Sequence, residues 1–74
     1  MWDKMIIHVN GRVFWAYVKH YDEPSEYGID GGRISKMEID DEHGTVVNYD
    51  RGWDIKPKTP EETAAYETAL RAFN

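Results

Sequence analysis

Met5-Ile6-Ile7-His8-Val9-Asn10-Gly11-Arg12-Val13-Phe14-Trp15-Ala16-Tyr17-Val18-Lys19-His20 decides the fold. Two runs rich in β-branched and aromatic residues flank Asn10-Gly11, the pair preferred in type I′ turns because both central residues need positive φ. A two-residue loop sets the register. Val9 then faces Arg12, Ile7 faces Phe14 and Met5 faces Ala16, which gathers Met5, Ile7, Phe14, Ala16 and Val18 on one side of the hairpin. That side is the expected core. The opposite side carries Ile6, His8, Val13, Trp15 and Tyr17, too apolar for an ordinary solvated face.

Outward from this hairpin, Arg33 to Asp40 and Thr45 to Asp54 read as a second one, turning across Asp41-Glu42-His43-Gly44. Gly44 is expected in the left-handed position of a three-residue loop with a bulge. Ile39 then meets Val47 and Met37 meets Tyr49, while Lys36, Glu38, Asp40, Asn48 and Asp50 point the other way. Lys56-Pro57-Lys58-Thr59-Pro60 ends the sheet. Thr59-Pro60-Glu61-Glu62 is a helix start with Thr as N-cap, Pro at N1 and Glu at N3 in a capping box. A helix is predicted from Pro60 to about Phe73. Its apolar stripe is Tyr66, Ala69, Leu70 and Phe73, with Glu61, Glu62, Glu67 and Arg71 outside it. The expected architecture is one α+β domain over residues 1–74, ββββα, a four-stranded antiparallel sheet carrying a C-terminal helix on one face.

Composition restricts the function classes. Seventy-four residues lie near the lower limit of autonomous folding, and there is no cysteine to supply a disulfide or a thiolate zinc site. An aromatic share of 14% nevertheless supplies enough buriable area to argue against disorder. The formal charge of −5 opposes nonspecific attraction to a phosphate backbone, so direct nucleic-acid binding is not expected. No run approaches the roughly 20 apolar residues of a membrane span, and the N-terminus lacks a signal-peptide core. A cytoplasmic protein is the expectation.

Asp22-Glu23-Pro24-Ser25-Glu26-Tyr27-Gly28-Ile29-Asp30-Gly31-Gly32 places eleven non-periodic residues between the hairpins, long for a mere connector in so small a chain. Its carboxylates Asp22, Glu23, Glu26 and Asp30, with His20 nearby, are oxygen donors that suit a hard cation, although their spacing is not that of an EF-hand. Its glycines precede a strand rather than a helix, which argues against a phosphate loop. Arg33 and Arg51 fall near Ser35 on adjoining strands. At least one is expected to pair with Asp22, Glu23 or Asp50 and so anchor the loop. His20 beside Asp22 and Glu23 lacks a nucleophile, and no catalytic residue, cofactor or metal is expected.

Asp22-Glu23-Pro24-Ser25-Glu26-Tyr27-Gly28-Ile29-Asp30-Gly31-Gly32-Arg33-Ile34-Ser35-Lys36 and Asn48-Tyr49-Asp50-Arg51-Gly52-Trp53-Asp54 together resemble a family of small uncharacterised proteins from Firmicutes and their phages or mobile elements. The resemblance spans nearly the whole chain. It implies a source and an accessory or host-interaction setting, and it assigns no activity, cofactor or site residue.

The functional expectation is therefore a non-enzymatic module that binds a protein, or itself as a homodimer, through the aromatic sheet face and the adjoining loop. Ile6, Trp15, Tyr17, Tyr27 and Trp53 are its candidate contact residues, because exposed aromatic clusters mark contact surfaces. Against this stands an intramolecular alternative, in which residues 22–32 fold over that face and bury Trp15 beneath Tyr27 and Ile29. Two other functions fit the composition: a small-ligand or metal site made by the loop carboxylates, and an acidic nucleic-acid mimic presenting Asp40, Asp41, Glu42 and the helix acids.

Overall fold

The computed structural model describes residues 2–74. Strands β1 (Trp2–Val9) and β2 (Arg12–His20) form the first hairpin in the expected register, with Val9 opposite Arg12, Ile7 opposite Phe14 and Met5 opposite Ala16. Asn10 and Gly11 take φ of 50° and 80°, the left-handed pair that a type I′ turn requires. Ile7, Phe14, Ala16 and Val18 are buried on one side, and Met5 packs against them.

Among the described residues there are five antiparallel strands rather than four. β3 (Ile34–Asp41) and β4 (Gly44–Asp50) pair with Ile39 opposite Val47 and Met37 opposite Tyr49, as the alternation required. Their turn is shorter than expected, because Gly44 at φ 127° already pairs with Asp41 and Val46 becomes the extra residue of a bulge. The run Thr45–Asp54 does not continue as one strand. Arg51 adopts φ 57°, and the Asp50 N–H donates to the Gly52 carbonyl at 2.9 Å, so the chain reverses. Trp53–Ile55 then returns along β4 as β5, completing the order β1-β2-β3-β4-β5. The reversal needs a left-handed arginine, a conformation few non-glycine residues adopt and one that alternation does not announce.

Helix α1 (Pro60–Phe73) starts at Thr59, whose hydroxyl accepts from the Glu62 N–H at 3.1 Å. The Glu62 carboxylate accepts in turn from the Lys58 and Thr59 N–H groups, at 2.8 and 3.4 Å. This double duty draws Glu62 into a buried position, whereas the helical stripe alone left it outside. Ala65 and Ala69 are fully buried, and their small side chains let the helix lie close to the sheet. Tyr66, Leu70 and Phe73 pack around them.

Residues 22–32 lie on the helix side of the sheet, not across Trp15. The neck of the loop is closed by the Tyr21 N–H donating to the Arg33 carbonyl at 3.1 Å and the Ser25 N–H to the Gly32 carbonyl at 3.0 Å. Its tip is a 3-10 turn, Ile29–Gly31, that inserts Ile29 completely into the core. Asn74, at the end of α1, clamps it: its side chain donates to the Ile29 carbonyl and accepts from the Ile34 N–H, both at 3.1 Å. The Tyr49 hydroxyl donates to the Tyr27 carbonyl at 2.8 Å. Among the described residues no ion pair joins Arg33 or Arg51 to Asp22, Glu23 or Asp50. Arg33 Nε reaches the Asn74 carbonyl oxygen at 3.4 Å, the Arg51 N–H donates to the Ser35 carbonyl, and Asp50 faces Lys36 at 3.7 Å. Backbone bonds, Asn74 and apolar burial hold the loop where guanidinium pairs were expected.

Candidate functional site: the uncovered sheet face

With the helix and the loop both on one side, no segment among the described residues covers the other side of the sheet. Alternation in β1 turns Trp2, Lys4, Ile6 and His8 towards it, and β2 adds Val13, Trp15, Tyr17 and Lys19. The register lines these residues into rows across the sheet. Ile6, Trp15, Asp40 and Thr45 form one row, and Lys4, Tyr17, Glu38 and Asn48 the next. Ile6 is 62% exposed, Trp2 56% and Trp15 37%. A shallow hollow of about 340 Å³ opens between Lys4, Ile6, Trp15 and Tyr17. A second hollow runs from Trp2 over Lys36 and Glu38 to Asn48 and Asp50. The face is thus apolar around Ile6, Trp15 and Tyr17, with Lys4, His8 and Lys19 among them, and polar over β3 and β4.

Of the five residues expected to contact a partner, this face brings together Ile6, Trp15 and Tyr17 and separates the other two. Trp53 packs edge-on against Tyr49 at 5.2 Å and against Tyr66 of the helix at 5.3 Å, on the opposite side. The turn at Arg51 sends it there. Tyr27 is exposed at the loop, also on the helix side, with its backbone tied to Tyr49. Asp30 lies close enough to Tyr66 that, after burial of the phenol itself, its charge helps raise the Tyr66 pKa. Trp2 was missed. The two-residue alternation that placed Ile6 on this face extends back through Lys4 to Trp2, and following it to the strand's start finds the face's second exposed tryptophan.

The carboxylates expected to act elsewhere are dispersed. No group of three or more His, Asp or Glu side chains converges into a cation site among the described residues, so Asp22, Glu23, Glu26 and Asp30 do not make a ligand set. His20 Nε2 lies 2.7 Å from Asp3 Oδ2, and its ring stacks on Phe73 at 5.1 Å. That pairs the histidine with β1 and the helix rather than with Asp22 or Glu23. Asp41 is buried, held by Arg12 at 2.8 Å and capping the His43 N–H at 2.8 Å. It cannot serve in a displayed row of charges; the acids on the uncovered face are Glu38, Asp40 and Asp50, and Glu42 is exposed in the turn between β3 and β4.

Glu38 and Asp40 lie two residues apart on the same side of β3. A proton shared with Asp40, partial desolvation and repulsion from the Asp40 charge raise the Glu38 pKa above 4.5. Asp40 meanwhile accepts a hydrogen bond from the Thr45 hydroxyl at 2.9 Å. Because the folded state holds the Glu38 proton to higher pH than the unfolded chain does, ionised Glu38 favours unfolding. The penalty is absent well below pH 4.5 and develops as pH rises through the folded pKa. Glu38→Gln is accordingly expected to raise the melting temperature modestly at pH 7 and to leave it unchanged in acid. Melting curves of both chains across that pH range test this, and an equal shift at every pH would assign the effect to something other than ionisation.

These features define a small α+β domain, an antiparallel sheet with a helix on one face and exposed aromatic residues on the other. The chain belongs to the family described as "Domain of unknown function (DUF7678)", which matches residues 1–74. No curated protein and no solved structure matches the chain. No helix among the described residues is long and apolar enough to cross a membrane.

Proposed function

We propose that the chain is a non-enzymatic protein-interaction module that docks a partner on the uncovered sheet face, acting in the cytoplasm as an accessory protein. One observation carries this: Trp2, Ile6 and Trp15 stay exposed together on a sheet face that neither the helix nor the loop covers. Two exposed tryptophans are large apolar groups for so small a protein to leave in water. Aromatic side chains in this setting become binding hot spots when a partner excludes solvent around them. The chemistry beside them narrows the partner. Glu38 and Asp40 repel each other next to Trp15 and Tyr17, and a partner's Lys or Arg placed over them would relieve that repulsion. The fitting surface is therefore apolar at its centre and basic at one side. The mobile-element setting implied by the Asp22–Lys36 stretch would suit such a role.

The loop drops out of this surface, since Tyr27 and Ile29 belong to the opposite layer. Trp15→Thr and Ile6→Lys are expected to abolish capture of the partner from an extract of the source cells, with melting curves showing that both variants still fold. Tyr27→Ser should leave capture intact. The reverse pattern, capture lost with Tyr27→Ser and kept with the two sheet variants, would move the site to the helix side and end this proposal.

A further inference from the structure

The two edges of the sheet are built differently. β5 is three residues long, opens after Gly52 and is followed at Pro57 by a residue without a backbone donor, so it offers little to pair with. β1 is eight residues long, contains neither Pro nor Gly, and runs against β2 without a bulge. Its free side carries a regular row of unpaired groups. Val9 and Arg12 flank a two-residue turn and so exchange both backbone bonds. Counting back by twos, Ile7, Met5 and Asp3 also bond inwards to β2. The N–H and C=O groups of Lys4, Ile6 and His8 consequently point outwards, away from the sheet.

We infer that β1 pairs antiparallel with β1 of a second copy, with Ile6 on the two-fold axis, to make one continuous sheet across the dimer. This goes beyond the docking face and does not depend on it, because it rests on backbone groups at the edge. The register follows from the residues. A two-fold pairing must match outward-bonding residues with one another, and within Trp2–Val9 the centres that oppose most of the strand are Ile6 (residues 3–9) and Met5 (residues 2–8), whereas Lys4 or Ile7 as centre leaves only residues 2–6 or 5–9 paired. Centring on Lys4 sets two ammonium groups side by side. Centring at Met5 sets Lys4 against the partner's Ile6. Centring on Ile6 pairs Ile6 with Ile6 and Lys4 with His8, with no like-charged acids or lysines opposed. On the helix side the same register places Met5, only partly buried within one chain, against the partner's Ile7. On the open side it joins Trp15 and Ile6 of one copy to Ile6 and Trp15 of the other in an unbroken apolar row.

The test uses the full chain, which has no native cysteine to confuse cross-linking. Sedimentation velocity over rising concentration is expected to show a monomer–dimer equilibrium. Under mild oxidation Ile6→Cys should give a disulfide-linked dimer readily, and Met5→Cys should not, because its neighbour across the axis is Ile7. Ile6→Pro removes an outward N–H that β2 does not use and should abolish the dimer. Should that variant fail to fold, Ile6→Lys, at a site 62% exposed, puts two charges on the axis and is expected to weaken association at least about tenfold. A chain that stays monomeric to about 1 mM, the weak limit of specific association, overturns edge pairing and leaves the docking face untouched. A dimer that survives both Ile6 variants but is lost with Trp15→Thr overturns it too, since association is then face to face. Equal cross-linking by Met5→Cys and Ile6→Cys refutes the register and with it the proposal.

Discussion

Ile29→Ala is expected to destabilise the whole protein by about 2–4 kcal/mol, the range for truncating a fully buried aliphatic side chain and leaving its cavity. For a loop residue that is a large effect. Ile29 sits in a non-repetitive segment, yet it has no exposure and belongs to the same cluster as Phe14, Val18, Met37 and Ile39. A core of this size supplies only about 3–5 kcal/mol of net stability, so the variant should be partly unfolded at room temperature. Its melting temperature should fall by roughly 10–30 °C. Urea or thermal denaturation reads the magnitude, and hydrogen exchange reads the mechanism: amides of β2 and β3 should lose protection together with the loop. A loss below about 1 kcal/mol, or exchange confined to residues 22–32, would show that the loop opens without the core and that Ile29 is no part of it.

Gly28→Ala is the second large effect, and its cause is space rather than backbone conformation. Gly28 has φ of −75°, which any residue tolerates. A Cβ there would overlap the carbonyl oxygen of Gly32 and press on the Ser25 carbonyl, and both contacts are with backbone. Neither can swing away, because Ser25 and Gly32 are joined by the 3.0 Å hydrogen bond that closes the loop, and the Gly28 N–H donates to Ser25 at 2.9 Å. The loop must open to admit a methyl group, which withdraws Ile29 from the core and pulls its carbonyl from Asn74. Overpacking of this kind costs about 1–3 kcal/mol by itself. Partial loss of Ile29 burial adds to it, and denaturation should show a drop close to that of Ile29→Ala. Gly52→Ala is the control, since a Cβ there meets nothing, and its change should stay under about 1 kcal/mol. Equal behaviour of the two glycine variants would remove the steric account.

The unequal legibility of the fold has a physical origin in interaction range. The first hairpin was readable because Asn10-Gly11 dictates a turn from two residues, and the turn then dictates which of Met5, Ile6 and Ile7 face inwards. The helix was readable to its ends because Thr59, Pro60 and Glu62 act on one another over three positions. The fifth strand was not, because it depends on Arg51 accepting a left-handed backbone while its N–H bonds to Ser35, sixteen residues earlier in the chain. Nor was the anchoring of the loop. Carboxylates beside arginines suggested ion pairs, whereas a single asparagine side chain from the far end of the helix satisfies two backbone groups of Ile29 and Ile34.

The candidate site divides along the same line. Alternation alone placed Ile6, Trp15 and Tyr17 on one face, since side chains in a strand must change sides at each residue. Whether that face would be open was a different matter, because the loop had two surfaces to choose between. Ile29 had to enter whichever layer offered a fitting cavity and a partner for its carbonyl. The helix side offers both, through Ala69, which leaves room beneath the helix, and Asn74 at its end. The hairpin registers, the helix and the two faces of the first hairpin follow from forces acting within a few residues. Which face the loop covers, where Trp53 and Tyr27 go, and which edge of the sheet is left free emerge only when the segments pack together. Those outcomes depend on contacts between residues 13 to 45 apart, such as Trp53 with Tyr66, Tyr27 with Tyr49 and Ile29 with Asn74, where shape and hydrogen-bond complementarity leave no local pattern to read.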